Sequence, residues 1–254
     1  MSLPKIKTPT YYGKVASTDE NFKFRPFLVG EQKVLIMALE SDDILEIYSA
    51  FNSILETCIV GFDSDDSESY KKKTIENMAS FDAESVFLQI ASKSVGEVSP
   101  ISHSCKECGK DTKIKVDMSS ATLKNHAGSE KTIQLTDDIG VIMKYMTLKD
   151  VIKEEMNGNN DTKKEVDPDD SEKTFYNTII SSLESIYDEE NVYPVADSSR
   201  KEIVEFIDSL SFDHLKKIEK FFDSMPYLGM DIKFKCSSCG AINEAEIKGI
   251  KNFF

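Results

Sequence analysis

The sequence predicts an α+β fold: an N-terminal β-hairpin and helices, then a helical insertion that divides one β element into two halves. Three observations predict it. Residues 8–29 alternate polar and aromatic side chains, in "TPTYYGKV" and again in "NFKFRPFLV", which is the period of half-buried strands. Apolar residues then recur at three- and four-residue spacing through much of 31–94 and 175–223, the period of amphipathic helices. Two runs of one shape, "SCKECGK" at 104–110 and "KCSSCGA" at 235–241, are each flanked by short alternating stretches.

Taken in order, the polar run Ser17–Asn21 suits the turn of the hairpin, and Pro26, which cannot donate a ladder hydrogen bond, belongs at a strand end or edge. From Glu31 the residues Val34, Leu35, Met37 and Ala38 fit one helical face. Ser41-Asp42-Asp43 then offers an N-cap with acidic residues in the first turn, where they complement the helix dipole. The next helix carries Ile44, Leu45, Ile47, Tyr48, Phe51, Ile54, Leu55 and Cys58, and Gly61 with "DSDDSES" ends it. A further helix is expected over Ala83–Ser94. Strands should enter and leave the first cysteine run, in "EVSPISHSC" and "TKIKVDM", with others at Ile133–Leu135 and Val141–Tyr145. Helices are predicted at Leu148–Met156, Phe175–Asp188, Ser198–Leu210 and Phe212–Asp223, the last two joined by a tight corner. Residues 157–172, "NGNNDTKKEVDPDDSE", hold one apolar side chain, Val166, and are expected to form a flexible acidic loop, because burial cannot offset their ordering entropy. "YLGMDIKFKC" and "NEAEIKGI" return the chain to β structure.

With 254 residues the chain can bury a sizeable core. Its formal net charge of -14 argues against broad nucleic-acid binding, which needs clustered Lys and Arg, and against docking on an anionic membrane. The opening "MSLPKIKTPTYYGK" has no apolar targeting core, and apolar stretches such as Val34–Leu39 and Ile139–Met143 are too short to span a bilayer. A reducing cytoplasm is therefore expected, where paired cysteines more often mean metal or redox chemistry than a structural disulfide.

Both cysteine runs read Cys-x-x-Cys-Gly. The two intervening residues can turn both thiolates toward one point, and the glycine accepts the left-handed backbone that follows. Together Cys105, Cys108, Cys236 and Cys239 supply four thiolates, the ligand set of a closed tetrahedral structural Zn²⁺ site. An ordinary zinc ribbon separates its pairs by about 15–20 residues, whereas here residues 109–235 intervene, so a single site implies an insertion within the ribbon. Zinc would then join distant parts of the chain, and its binding energy would become folding energy. The alternatives are two independent redox pairs, a catalytic zinc, and reduced cysteines without metal; His103, two residues before Cys105 on a strand, could replace a ligand but reads as a surface residue. Redox pairs usually stand at helix N-termini, and four thiolates leave a metal no open position. Cys58, on a helical face, reads as a small core residue.

No catalytic constellation is visible. His126 and His214 stand alone, and there is no H-E-x-x-H, Walker loop, G-x-G-x-x-G or G-x-S-x-G. The acidic runs "DSDDSES" and "DPDDSE" lack the spacing of a calcium loop and read as solvated loops. Binding surfaces are the remaining candidates. "LPKIKTPTYY" is an extended arm able to add a strand to a partner's sheet. Tyr11, Tyr12, Phe22, Phe24 and Phe27 read as core residues or as an interface, and the terminal "IKNFF" could pack on the cysteine-bearing strands or reach a partner.

The stretches "LPKIKTPTYYGKV" and "KFRPFLVGEQKVLIMALES" resemble the N-terminal signature of T-even-type bacteriophage baseplate hub subunits and hub assembly proteins. In that signature a proline-rich β start leads into Arg25, Pro26, Phe27, Leu28 and Val29, then a helix with Lys33, Leu35 and Glu40. The two distant cysteine pairs also resemble those of the group, and the resemblance runs in order along the chain, except at 119–147 and 157–172. It implies a non-enzymatic role in tail morphogenesis, in the host cytoplasm during assembly or in the virion tail baseplate. The partners would be other hub or tail proteins, with no small-molecule substrate and no membrane.

The expected organisation is residues 1–96 as hairpin plus helical region, 97–118 as the first half of a zinc ribbon, 119–227 as a mostly helical insertion and 228–254 as the second half with a tail. A different functional class is a zinc-ribbon nucleic-acid-binding or transcription-associated module, for which Lys106, Lys110, Lys113, Lys115, Lys233 and Lys235 could form a local basic patch.

Overall fold

The computed structural model describes residues 6–41, 43–125, 128–158 and 168–249. Along the chain run β1 (Tyr11–Lys14), β2 (Asn21–Phe24), α1 (Val29–Glu40), α2 (Ile44–Cys58), β3 (Ile59–Phe62), α3 (Glu68–Asn77) and α4 (Ser80–Val95). Then come β4 (Val98–Ser104), β5 (Asp111–Asp117), β6 (Thr122–Lys124), β7 (Thr132–Gln134), β8 (Gly140–Met143), α5 (Leu148–Gly158) and α6 (Pro168–Ser182). The chain continues through β9 (Leu183–Tyr187), β10 (Val192–Pro194), α7 (Arg200–Asp208), α8 (Phe212–Asp223), β11 (Tyr227–Lys235) and β12 (Ile242–Lys248). This is the mixed helix-and-sheet architecture that the sequence predicts. It divides into two units, one of Met1–His126 with Tyr227–Phe254 and the other of Ala127–Pro226.

In the first unit the aromatic alternation produces the expected hairpin. β1 and β2 pair antiparallel with Tyr11 opposite Phe24 and Gly13 opposite Phe22. Phe22, Phe24 and Phe27 point inward, whereas Tyr12 on the opposite phase is 71% exposed. The interior is aromatic: Phe22 lies 5.4 Å from Phe24 and 6.3 Å from Phe62, and Phe51 of α2 sits 4.4 Å from Phe87 of α4. Leu55, Ile59, Ile75 and Ile90 complete this core. Asp82, buried in the first turn of α4, accepts hydrogen bonds from the backbone N–H of Ser17 at 3.0 Å and from its hydroxyl at 2.5 Å, which ties the hairpin turn to the helix.

Three predictions in this unit are corrected. The helix ending at Cys58 gives way at once to β3, which joins β2 as the third strand of the sheet, with Phe22 opposite Phe62. The acidic run at 63–69 does not stay a loop throughout, because Ser67 caps α3 by accepting the Tyr70 N–H at 3.3 Å. Only Ile75 of α3 is fully buried, so the helix carries almost no periodic apolar signal. The face predicted for α1 is also only half right: Leu35 and Ala38 are buried, while Val34 and Met37 are exposed.

The second unit is built on the antiparallel sheet β10-β9-β8-β7. Leu135, Val141, Met143, Ile179, Leu183, Ile203, Ile207, Ile218 and Phe221 form its core. The predicted helix 175–188 ends at Ser182, and "LESIY" becomes a central strand with Ile186 opposite Val141 and Tyr193. Such a short apolar run fits both periods, and the neighbouring strands decide between them. α7 and α8 form the predicted corner. Ser199 caps α7 with Glu202 reaching back to its N–H at 2.8 Å, and Ser211 caps α8. Of the predicted acidic loop 157–172, residues 157–158 close α5 and 168–172 open α6, while 159–167 lie outside the described residues, as does "IKNFF".

Candidate metal centre

Each cysteine run lies at the tip of a hairpin in the first unit. β4 and β5 pair from Val98 opposite Asp117 to Ser104 opposite Asp111, and β11 and β12 pair from Gly229 opposite Lys248 to Lys235 opposite Ile242. The two turns are built alike. Cys105 N–H donates to the Lys110 carbonyl at 3.0 Å and Gly109 N–H to the Cys105 carbonyl at 2.9 Å. In the second, Cys236 N–H donates to Ala241 at 2.8 Å and Gly240 N–H to Cys236 at 3.1 Å. Gly109 and Gly240 take φ of 68° and 76°, the left-handed backbone that glycine adopts without steric cost. A glycine immediately after each pair is therefore a requirement of the turn.

The tips face one another. The sulfurs of Cys105, Cys108, Cys236 and Cys239 all lie within 4.8 Å of each other, the one such group of His, Cys, Asp or Glu among the described residues. Cys105 Sγ is 3.7 Å from Cys239 Sγ, and Cys108 Sγ is 3.7 Å from Cys236 Sγ. Those separations exclude disulfides, whose sulfurs stand about 2.0 Å apart. They match the edge of a tetrahedron of sulfurs placed about 2.3 Å from a central ion, an edge of about 3.8 Å. The donor set is thus suited to one soft, tetrahedral metal ion, with no position left for a substrate.

The four sulfurs are not equivalent. Cys105 and Cys236 are buried, and Cys108 and Cys239 are exposed. The backbone N–H groups of Cys239 and Ser238 hold the Cys236 thiol down to about 6. Those of Cys108 and Glu107, with the Asn243 amide, lower Cys105. Cys239 receives the Ala241 N–H, but the neighbouring thiols and desolvation outweigh it and push the group up to about 12.

Two side chains that the sequence reading passed over complete the cluster. Thr112 Oγ1 lies 3.7 Å from Cys236 Sγ and accepts the Ser237 N–H at 3.2 Å. Asn243 Nδ2 donates to Cys105 Sγ at 3.4 Å, and its Oδ1 accepts the Lys106 N–H at 2.9 Å. The available signal was positional: each stands seven residues after the first cysteine of its own run. His103 contributes no ligand atom to the group; it is half-buried, with its ring 5.5 Å from that of Phe234. Cys58 is fully buried in the aromatic core, and burial followed by the Glu31 carboxylate pushes its thiol up to about 12.

The family model described as T4 bacteriophage base plate protein matches residues 8–254, which include both cysteine runs and all the residues between them. The chain belongs to this family. No curated protein and no solved structure matches it. As a baseplate protein it works among other phage structural proteins, in association with the virion tail. No helix among the described residues is long and apolar enough to cross a membrane. In sequence, the baseplate protein's two cysteine runs stand on either side of the two chain crossings to the second unit. β6, the last strand before it, pairs with the start of β11, the first strand after it, with Lys124 opposite Tyr227. Adjacent entry and exit strands are what allow a domain-sized segment to be inserted without disturbing its host.

Proposed function

We propose that this baseplate protein is a component of the central hub, or a factor that assembles the hub, acting through protein–protein contacts. In this reading Cys105, Cys108, Cys236 and Cys239 hold one structural Zn²⁺. The observation that carries the metal assignment is the meeting of four sulfurs from two tips far apart in sequence, all within 4.8 Å of one another and two pairs of them at 3.7 Å. The zinc would close the β4–β5 hairpin against β11–β12 and so fix the two ends of the first unit together. Because all four positions are thiolates, it would contribute folding energy and no Lewis-acid chemistry.

The family supports a baseplate role, and the step to the hub rests on the resemblance carried by the Arg25–Val29 signature, whose residues also serve the fold. Arg25 pairs with Glu31 at 2.6 Å, and Glu31 also accepts the Leu28 N–H at 2.6 Å at the start of α1. The nucleic-acid alternative has less support, because two of its lysines are engaged with Glu244. Lys233 pairs with the carboxylate at 2.7 Å, and Lys106 donates to the carbonyl at 2.7 Å.

Elemental analysis of protein purified without chelator tests the centre. Zinc near one per chain is expected. Iron at that ratio would keep the ligand set and replace the metal, and neither metal in folded, reduced protein would overturn the site. Mass spectrometry of purified particles beside an infected-cell lysate separates the two hub roles. A hub subunit is found in both, and an assembly factor only in the lysate.

A further inference from the structure

The two halves of the clasp are joined by more than their sulfurs. β5 begins at Asp111 and β12 at Ile242, so Thr112 and Asn243 occupy equivalent second positions of the strands that leave the two tips. Both are polar and almost completely buried, at 5% and 3% exposure. A buried polar side chain is costly unless its donors and acceptors are matched, and here each finds two of its partners on the opposite half. Thr112 accepts the N–H of the residue after Cys236 and directs its hydroxyl at the sulfur of Cys236. Asn243 accepts the N–H of the residue after Cys105 and donates to the sulfur of Cys105. The remaining Asn243 donor is used by the Ala241 carbonyl at 3.1 Å. The exchange is reciprocal: each strand holds the first cysteine of the other tip by a two-point contact.

It also falls on the sulfurs that need it. Cys105 and Cys236 are the buried pair, so water cannot solvate their thiolates, whereas Cys108 and Cys239 face solvent. Four thiolates around one divalent ion leave a net negative charge. Hydrogen bonds to that charge stabilise it and also fix the direction of each sulfur.

We propose that Thr112 and Asn243 are the positioning residues of the metal centre, each orienting the buried first cysteine of the opposite tip and so setting how tightly the ion is retained. This rests on the reading that the four cysteines bind a metal. Cobalt(II) binding by the purified chain is the test. The variants are Thr112→Val and Asn243→Asp, which keep the shape and remove the donor, and Thr112→Ser, which restores the hydroxyl. The readouts are the energies of the sulfur-to-cobalt absorption bands and the rate of metal release to a competing chelator.

The expected result is about ten- to a hundredfold faster release for the first two variants, with shifted bands, and near-normal behaviour for Thr112→Ser. A wild type that shows four-thiolate bands, with both isosteric variants releasing metal within about twofold of it, would overturn the positioning role while leaving the metal site intact. A wild type that takes up no cobalt removes the metal reading itself. Where a variant does not fold, proton NMR of the wild type loaded with magnetically active cadmium decides. Coupling between the metal and the Asn243 side-chain amide supports the role, and its absence from an otherwise assigned spectrum rejects it.

Discussion

Two regions of the first unit solve the same problem by different chemistry. The region around β1–β3, α2 and α4 joins distant segments through an aromatic interior, with Phe22, Phe51, Phe62 and Phe87 nearly inaccessible to water. The region around β4–β5 and β11–β12 joins still more distant segments, with Cys105 and Cys239 separated by 134 positions in the sequence, and its tips meet through sulfur and polar contacts. The first region is stabilised by burial, which is non-directional and tolerant of small shifts. The second depends on directed bonds to a few atoms, which makes it precise and, with the proposed zinc in place, dependent on that one ion. The contrast teaches where this protein should be vulnerable: to cavities in one region, and to loss of the proposed metal in the other.

Metal removal should produce the largest effect. A structural zinc contributes on the order of 10 kcal/mol of apparent folding energy. Chelation, or Cys236→Ser, should therefore abolish amide protection in β4–β5 and β11–β12 while peptides from α2 and α4 keep theirs. Hydrogen exchange read by mass spectrometry makes that comparison. Equal loss in both regions would show that the two are one cooperative unit.

Phe87→Ala should act in the opposite sense. It opens a cavity against Phe51 and should cost about 3–5 kcal/mol in urea denaturation. Zinc content of the folded variant should not change.

Glu31→Gln should cost about 2 kcal/mol, because it leaves the half-buried Arg25 without its charged partner. The Arg25 guanidinium, together with the Leu28 N–H, holds the Glu31 carboxyl below its usual value, although partial burial opposes them. The pair's contribution is therefore complete above the ordinary glutamate range and is lost as pH falls through the depressed folded value. Denaturation midpoints of wild type and variant should converge on the acid side.

Asp82 should give the smallest effect and the opposite slope. Burial raises its carboxyl despite the two hydrogen bonds from Ser17. The folded state then binds a proton more readily than the unfolded chain, so stability declines as pH rises from the ordinary aspartate range through the raised value, and levels off above it. Asp82→Asn should remove that part of the pH dependence, seen as a flatter curve of denaturation midpoint against pH.

Parts of the fold were legible because their signals are local. The hairpin shows in the alternation of Tyr11 to Phe24, and the α7–α8 corner in the single residue, Ser211, between two helical patterns. α3 was not legible, because a helix with one fully buried residue leaves little apolar pattern. Nor was β3, which follows α2 without a break.

By itself, the sequence determined the elements whose cause lies within a few residues: period-two and period-four patterns, serine caps, and a glycine that lets each Cys-x-x-Cys turn back. It also named all four sulfurs of the cluster, since the chemistry of a thiolate pair is carried by its spacing. The tertiary structure alone decided that "LESIY" is a strand, that Val34 and Met37 of α1 are exposed, and that Thr112 and Asn243 cross to the opposite tips. In each of these the deciding partner lies far away in sequence, and a side chain's burial or hydrogen bond is fixed by what the fold sets against it.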